Sequence, residues 1–225
     1  CFLSGGLDSV TVLHCVEHYP RIQSITAVSF NYSQRHSCEL ECAAHQVRQC
    51  RKVERHLFFD TPMPSAAASA LTNADVPLRR NCLGNEMADG IPASYVPGRN
   101  IIFLSLAASL ADMPSNPADV IALGVNQLDY SGYPDCRGEF LNSFQEAIRA
   151  GTRRSQLQIW APLLYHSKVD IIRLGLSLGV DYGMTSSCYS PNEKGHACGT
   201  CDSCVLRQAA FKTLGMVDPR QYVTG

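Results

Sequence analysis

The sequence predicts an α/β fold: a doubly wound, mostly parallel sheet with helices on both faces, followed by a cysteine-bearing helical segment at the C-terminus. Three observations predict it. Apolar strand-like runs alternate with stretches of helical periodicity through most of the chain, the order that parallel sheets require. A glycine loop, Ser4-Gly5-Gly6-Leu7-Asp8-Ser9, stands at a strand-to-helix junction. Four cysteines, Cys188, Cys198, Cys201 and Cys204, crowd together in the last quarter.

Taken in order, Cys1-Phe2-Leu3 reads as the end of a buried strand whose beginning lies upstream. A helix is expected from Ser9, with Val10, Leu13 and Val16 at helical spacing and Pro20 beyond its end. Ser24 to Phe30 reads as a strand. Leu40, Ala43, Ala44 and Val47 mark a second helix, and Val53 to Phe59 a third, weaker strand. Residues 60–98 break the rhythm with Gly, Pro and an Ala/Ser-rich stretch, and a loop this long is usually functional or disordered. The alternation resumes with a helix over 101–111, a strand near 120–124, a helix near 139–150, a strand near 157–161 and a helix near 168–178. A closing helix is expected over 204–214. The expected division is residues 1–184 as the α/β domain and 185–225 as the cysteine segment.

With 225 residues, 45% hydrophobic and 17% charged, the chain can bury a full core, which excludes a disordered tail or a coiled coil. A net charge of -1, from 19 basic and 20 acidic residues, gives no electrostatic basis for nucleic-acid or anionic-membrane binding. Small-molecule partners are expected instead. No apolar run approaches the roughly 20 residues a spanning helix needs, and no signal-like start is seen, so a cytoplasmic location is expected.

In the glycine loop, two glycines let the backbone approach a ligand, and the unpaired amides of the helix start point at it. This describes an anion cradle. A tight turn with Asp8 or Ser9 as helix cap describes the same residues, and an Asp at a helix start also suits the macrodipole. The Lys-Ser/Thr pair of the usual nucleotide P-loop is absent, as is the third glycine of the dinucleotide fingerprint.

The spacing Cys188-x9-Cys198-x2-Cys201-x2-Cys204 offers four soft ligands that a turn and a helix start can wrap around one tetrahedral ion. Zinc is the default. Four thiolates leave no open position, so the site is read as structural. An iron–sulfur cluster accepts the same ligands, and a disulfide set is disfavoured in a reducing compartment. The eleven cysteines are an odd number, which argues against complete internal pairing.

The six-residue loop resembles the PP-loop of the adenylating ATP-pyrophosphatase superfamily, whose fold is adenine nucleotide alpha hydrolase-like. That resemblance implies that the segment Leu3 to Ser9 holds the pyrophosphate of ATP, with Ser4, Asp8 and Ser9 as catalytic positions and Asp8 also placing Mg²⁺. Further strings narrow it: Phe30-Asn31-Tyr32-Ser33-Gln34-Arg35-His36, Tyr95-Val96-Pro97-Gly98-Arg99-Asn100, Ser131-Gly132-Tyr133-Pro134-Asp135-Cys136-Arg137, and the cysteine cluster with Leu206-Arg207. Together they resemble the 7-cyano-7-deazaguanine synthase family of queuosine biosynthesis, from residue 2 to about 215. Ser33 and Leu7 stand where that pattern leads one to expect variation or a glycine, and a polar residue.

The resemblance implies an enzyme that uses two ATP, with Mg²⁺, to convert 7-carboxy-7-deazaguanine and ammonia to the nitrile through an adenylated carboxylate and an adenylated amide. It also implies a homodimer. The long loop ending at Arg99-Asn100 leads into a helix start, and the Asp129-to-Arg137 loop follows a strand's carboxyl end, where open α/β sheets place ligands. In this reading Asp135 accepts from a guanine-like N–H edge, Tyr133 stacks on the base, and Arg137 or Arg99 meets a carboxylate or phosphate. Arg35 and His36, after the second strand, read either as residues that approach the nucleotide or substrate or as an ordinary helix-entry pair. Turn chemistry explains Ser-Gly-Tyr-Pro-Asp equally, with Asp135 capping the next helix. Lys168, set against the dipole at a helix start, reads as a phosphate ligand or a surface lysine. Cys136 is read as a packing residue. Two rivals stand beside this: another adenylating enzyme of the superfamily, which would carry a macromolecule-docking segment, and a noncatalytic zinc-bearing module.

Overall fold

A computed structural model of the chain describes residues 1–35, 38–81, 90–128 and 133–223. Of the residues singled out above, His36, Asp129, Ser131 and Gly132 lie outside this set. Strands β1 (Ile25–Asn31) and β2 (Val53–Asp60) pair in parallel, as do β3 (Val120–Ala122) and β4 (Gln158–Trp160). The N-terminal stub joins the two pairs. Phe2 bridges Val28 in parallel, Leu3 N–H donates to Val28 O (2.8 Å), and Phe2 N–H donates to Ala122 O (2.8 Å). The resulting order is β2-β1-stub-β3-β4, with the stub at the centre of the sheet.

Helices α1 (Leu7–His18), α2 (Cys38–Gln49), α3 (Arg99–Ala111), α4 (Gly138–Gly151), α5 (Lys168–Ser177) and α6 (Asp202–Thr213) fall where periodicity places them, within a few residues at each end. Two apolar clusters separate the faces of the sheet. Val10 and Leu13 of α1, Ala43 of α2, Ile171 and Ile172 of α5 and Phe211 of α6 share one core. Leu104 and Ala108 of α3, Leu141 and Ile148 of α4 and Leu123 after β3 share the other. Helix α1 is buried on nearly every side, Val12 and Thr11 as fully as Val10 and Leu13, because it lies under α5 as well as on the sheet. Phe211 places the C-terminal segment in the same core as the first helix.

The long interruption after β2 contains only a short 3-10 turn, Ala66–Ala68, among its described residues, yet it is pinned. Ser65 Oγ donates to Pro97 O (2.8 Å) and Ala70 N–H to Ala93 O (2.8 Å). Its far end reaches the cysteine segment, where Asn81 N–H donates to Thr200 O (2.7 Å) and Arg80 Nη1 to Thr200 Oγ1 (2.8 Å). Ser33 has φ 62, the left-handed region that favours glycine, at a cost of about 1–2 kcal/mol. That is the physical content of the glycine expectation at this position.

Candidate active site and metal centre

A cleft of about 250 Å³ opens at the carboxyl ends of the stub and β3. This is where the strand order reverses, and open α/β sheets bind ligands in that crevice. Ser4, Gly6 and Asp8 form its floor, Arg99 and Asn100 of α3 one wall, and Lys168 of α5 and Ser187 the other. Phe30 and Phe103 stack beside it with ring centroids 3.8 Å apart, giving an apolar side suited to a flat ring.

The glycine loop is a strained junction with a reason for each glycine that matters. Gly5 has φ +88, and a Cβ there would overlap the carbonyl oxygen of Glu39 and lie 2.8 Å from Ala43 N. The loop can therefore dock on α2 only with glycine at this position. A Cβ on Gly124 would come within 2.9 Å of Ser9 N, so the end of β3 and the start of α1 touch through backbone. The helix begins at Leu7 with Gly6 as an N-cap that makes no side-chain bond. Neither Asp8 nor Ser9 is the cap that the tight-turn reading requires. Ser9 Oγ turns back to Gly6 O (3.1 Å) and to Ser4 Oγ (3.0 Å) and N–H (3.1 Å), while Ser4 Oγ accepts from Gly6 N–H (3.2 Å).

Asp8 instead faces Lys168, whose Nζ lies 2.7 and 2.9 Å from the two carboxylate oxygens. The pair brings the N-termini of α1 and α5 to one point, and it removes the puzzle of a lysine at a helix start, because the partner carboxylate offsets the dipole. Ser167 caps α5 by accepting from Asp170 N–H.

On the opposite wall, Arg99 stacks over the ring of Tyr32 at 5.9 Å. Burial pushes the Tyr32 phenol up to about 12, so it is a neutral wall for that cation. Tyr133 lines the cleft with its hydroxyl 2.6 Å from Ser94 Oγ, and burial raises its pKa also. Asp135 is buried away from the cleft lining. Its Oδ2 accepts from Asn100 N–H (3.1 Å), so it caps α3 and not the following helix, while Asn100 Nδ2 donates to Asp135 O (3.1 Å). Arg137 is exposed at the start of α4, and exposed Arg35 donates to Ala70 O (3.4 Å); neither lines the cleft. Cys136 is buried in the second core, and burial, reinforced by Asp135, pushes its thiol up to about 12. A thiol so shifted is protonated at neutral pH and packs as a small hydrophobe.

The cleft also holds residues that sequence reading passed over: Glu39, Asn126, Ser187 and Arg207. Glu39, buried on α2, accepts from Gln34 Nε2 (3.1 Å). Arg207 makes a two-pronged contact with Asp218 (2.7 and 2.9 Å) and donates to Tyr182 O (2.7 Å) and Thr185 Oγ1 (2.7 Å). Only Arg207 carried any signal, as part of the Leu206-Arg207 string; the others sit in locally unremarkable sequence.

The four cysteines converge, with all Sγ atoms within 4.8 Å of one another. A tetrahedral thiolate site with metal–sulfur bonds of about 2.3 Å has sulfurs about 3.8 Å apart, and Cys198 and Cys204 Sγ are 4.0 Å apart. Backbone amides point at the sulfurs: Cys201 N–H (3.3 Å) and Thr200 N–H (3.5 Å) at Cys198, and Cys198 N–H (3.2 Å) and Ser190 N–H (3.4 Å) at Cys188. Such donors stabilise thiolates. The four cysteines can hold a metal ion, and the geometry is consistent with zinc. Among the described residues no other metal-ligating cluster forms, and no helix is long and apolar enough to cross a membrane.

A sequence model of the family described as Queuosine biosynthesis protein QueC matches residues 1–215. A Kineococcus radiotolerans protein named 7-cyano-7-deazaguanine synthase is 46% identical over 98% of this chain and 95% of its own length. Proteins of the same name from Solidesulfovibrio magneticus (46%, covering 97% of this chain and 93% of their counterpart) and Geobacter sulfurreducens (45%, 99% and 92%) are similar over the same span.

Proposed function

Since the chain belongs to the QueC family of queuosine-biosynthesis proteins, we propose that it converts 7-carboxy-7-deazaguanine and ammonia to 7-cyano-7-deazaguanine at the expense of two ATP. A carboxylate does not react with ammonia until its oxygen is made a leaving group. Attack of the carboxylate on the α-phosphorus of ATP expels diphosphate and forms the acyl adenylate; ammonia then displaces AMP to give the amide. A second ATP adenylates the amide oxygen, and loss of AMP and a proton leaves the nitrile.

The observation that carries this reading is the glycine loop at the switch-point cleft, whose Asp8 pairs with Lys168 and whose cleft Arg99 also lines. Such an arrangement catalyses by positioning and charge neutralisation. Lys168 and the α1 amides would meet the phosphates, and Asp8 would hold Mg²⁺, which would supply neutralisation of phosphate charge. Arg99 and Asn100 stand at the opposite wall for the nucleotide or the substrate carboxylate. Tyr133, and the stacked Phe30 and Phe103 that also line the cleft, offer ring surface to the deazaguanine. The buried wall excludes water from the adenylate. Asp135 acts in this reading through Asn100, which it holds, whereas Arg137 and Arg35 lie outside the cleft lining.

Residues 1–184 supply most of the cleft, residues 185–225 add Ser187 and Arg207 to it, and the four cysteines of that segment hold a structural zinc. Small-molecule substrates, and not nucleic acid or membrane, are the partners that the near-neutral charge favours, and a cytoplasmic homodimer is what the family resemblance implies. Incubation of the protein with Mg-ATP, ammonium and 7-carboxy-7-deazaguanine, followed by mass spectrometry of the base, tests the proposal. Amide and then nitrile should appear, with two AMP and two diphosphate per nitrile. AMP release without either product would refute this acceptor.

A further inference from the structure

Three hydroxyls surround the amides of the glycine loop, and their protons are not equally committed. Ser9 Oγ donates to Gly6 O at 3.1 Å. With that proton placed, the 3.0 Å contact between Ser4 and Ser9 is donated by Ser4. Both protons are therefore used inside the loop, where they hold its shape. Ser187 differs: its Oγ accepts from Leu7 N–H at 3.2 Å, and among the described residues its own proton has no acceptor.

Ser187 lines the cleft, and it reaches the loop from 180 positions away in the sequence. Its placement is fixed from both sides. Ser186 N–H donates to Gly5 O (2.9 Å), and Cys188, the next residue, belongs to the converging cysteine set. A hydroxyl that accepts from a backbone amide is polarised by it and becomes a better donor in turn. At the start of α1 it carries the amide's positive end one atom further into the cleft, where the helix dipole already favours an anion.

We propose that Ser187 is a phosphate-binding residue, donating its hydroxyl proton to a phosphate oxygen of bound ATP while it accepts from Leu7 N–H. Ser4 and Ser9, by contrast, shape the loop from within. This rests on the ATP-dependent reading above. The zinc-loaded full chain can be compared as wild type, Ser187→Ala and Ser187→Thr by calorimetric titration with Mg-ATP, by the KM for ATP and kcat of AMP release, and by zinc content and melting temperature.

Loss of one hydrogen bond to a charged group weakens binding about ten- to a hundredfold. Ser187→Ala should therefore raise the Kd and KM for Mg-ATP by at least tenfold, with zinc content and melting temperature unchanged, and Ser187→Thr should restore most of the affinity. Equal Mg-ATP affinity of wild type and Ser187→Ala overturns the assignment, as does a Thr variant no better than Ala. Loss of zinc or of folding in Ser187→Ala also overturns it, since the residue would then serve the cysteine site. A wild type that binds no Mg-ATP overturns the ATP-dependent reading itself, and this assignment with it.

Discussion

Asp218→Ala removes one half of an ion pair that ties α6 to the C-terminal tail. The side chains of Arg207 and Asp218 are only 3% and 5% exposed, and the carboxylate meets the guanidinium through two contacts of 2.7 and 2.9 Å. It also accepts from Tyr222 Oη (2.6 Å) and Arg220 N–H (2.9 Å). Truncating one partner of a buried pair costs about 3–5 kcal/mol, because the remaining charge is left in a low-dielectric site. Arg207 keeps its bonds to Tyr182 O and Thr185, which favours the lower end, whereas the two orphaned donors add about 1 kcal/mol each. The sum is about 4–5 kcal/mol, equivalent to a fall of about 8–20 °C in melting temperature for a chain of this size. Differential scanning calorimetry of zinc-loaded protein at fixed metal concentration reads it directly. Arg207→Met/Asp218→Leu, which removes both charges and keeps apolar volume, should recover most of the loss. A fall below 2 °C in the single variant, or a double variant no better than the single, would refute the claim that the buried pair holds the tail.

Two further predictions concern the metal and pH. Cys201→Ser should release the metal and lower the melting temperature, because binding free energy at a structural site is folding free energy; full metal retention, measured by elemental analysis, would remove Cys201 from the ligand set. His56 donates from Nε2 to Ser29 Oγ at 2.7 Å, Ser29 in turn donating to Leu3 O just before the glycine loop. Burial lowers the His56 pKa from 6.5, so the folded state binds fewer protons than the unfolded one. The stability this contributes is complete above pH 6.5 and is lost as pH falls below it. Melting temperature should thus drop between pH 7.5 and 5.5 more steeply in wild type than in His56→Gln, and parallel curves would exclude this histidine as the cause.

Much of the molecule was legible because its signals are local. The Cys198-x2-Cys201-x2-Cys204 spacing lies within a turn and a helix start, so the ligand set could be read without knowing the fold. The glycine loop was recognised in the same way, as six contiguous residues. Helix α3 was found from its apolar run, and its start at Arg99 lies only two residues before the expected one. The 60–98 interruption was read as a loop, but its attachment to Thr200 was invisible, since no property of Asn81 names a partner in the cysteine segment.

Composition and spacing by themselves determined the alternation of elements, the glycine-loop junction and the set of four cysteines that can hold a metal ion. Tertiary structure alone decided which groups meet: Lys168 with Asp8, Ser187 with Leu7, Asp135 with Asn100, and Arg207 with Asp218. It also decided why Gly5 is glycine, since the atom a Cβ would strike belongs to Glu39 on another helix. Periodicity and spacing report the conformation of a segment and the face it buries, whereas a hydrogen bond between segments depends on the register of the sheet and the rotation of each helix upon it. Those are set by packing of the whole core, and no local stretch of sequence contains them.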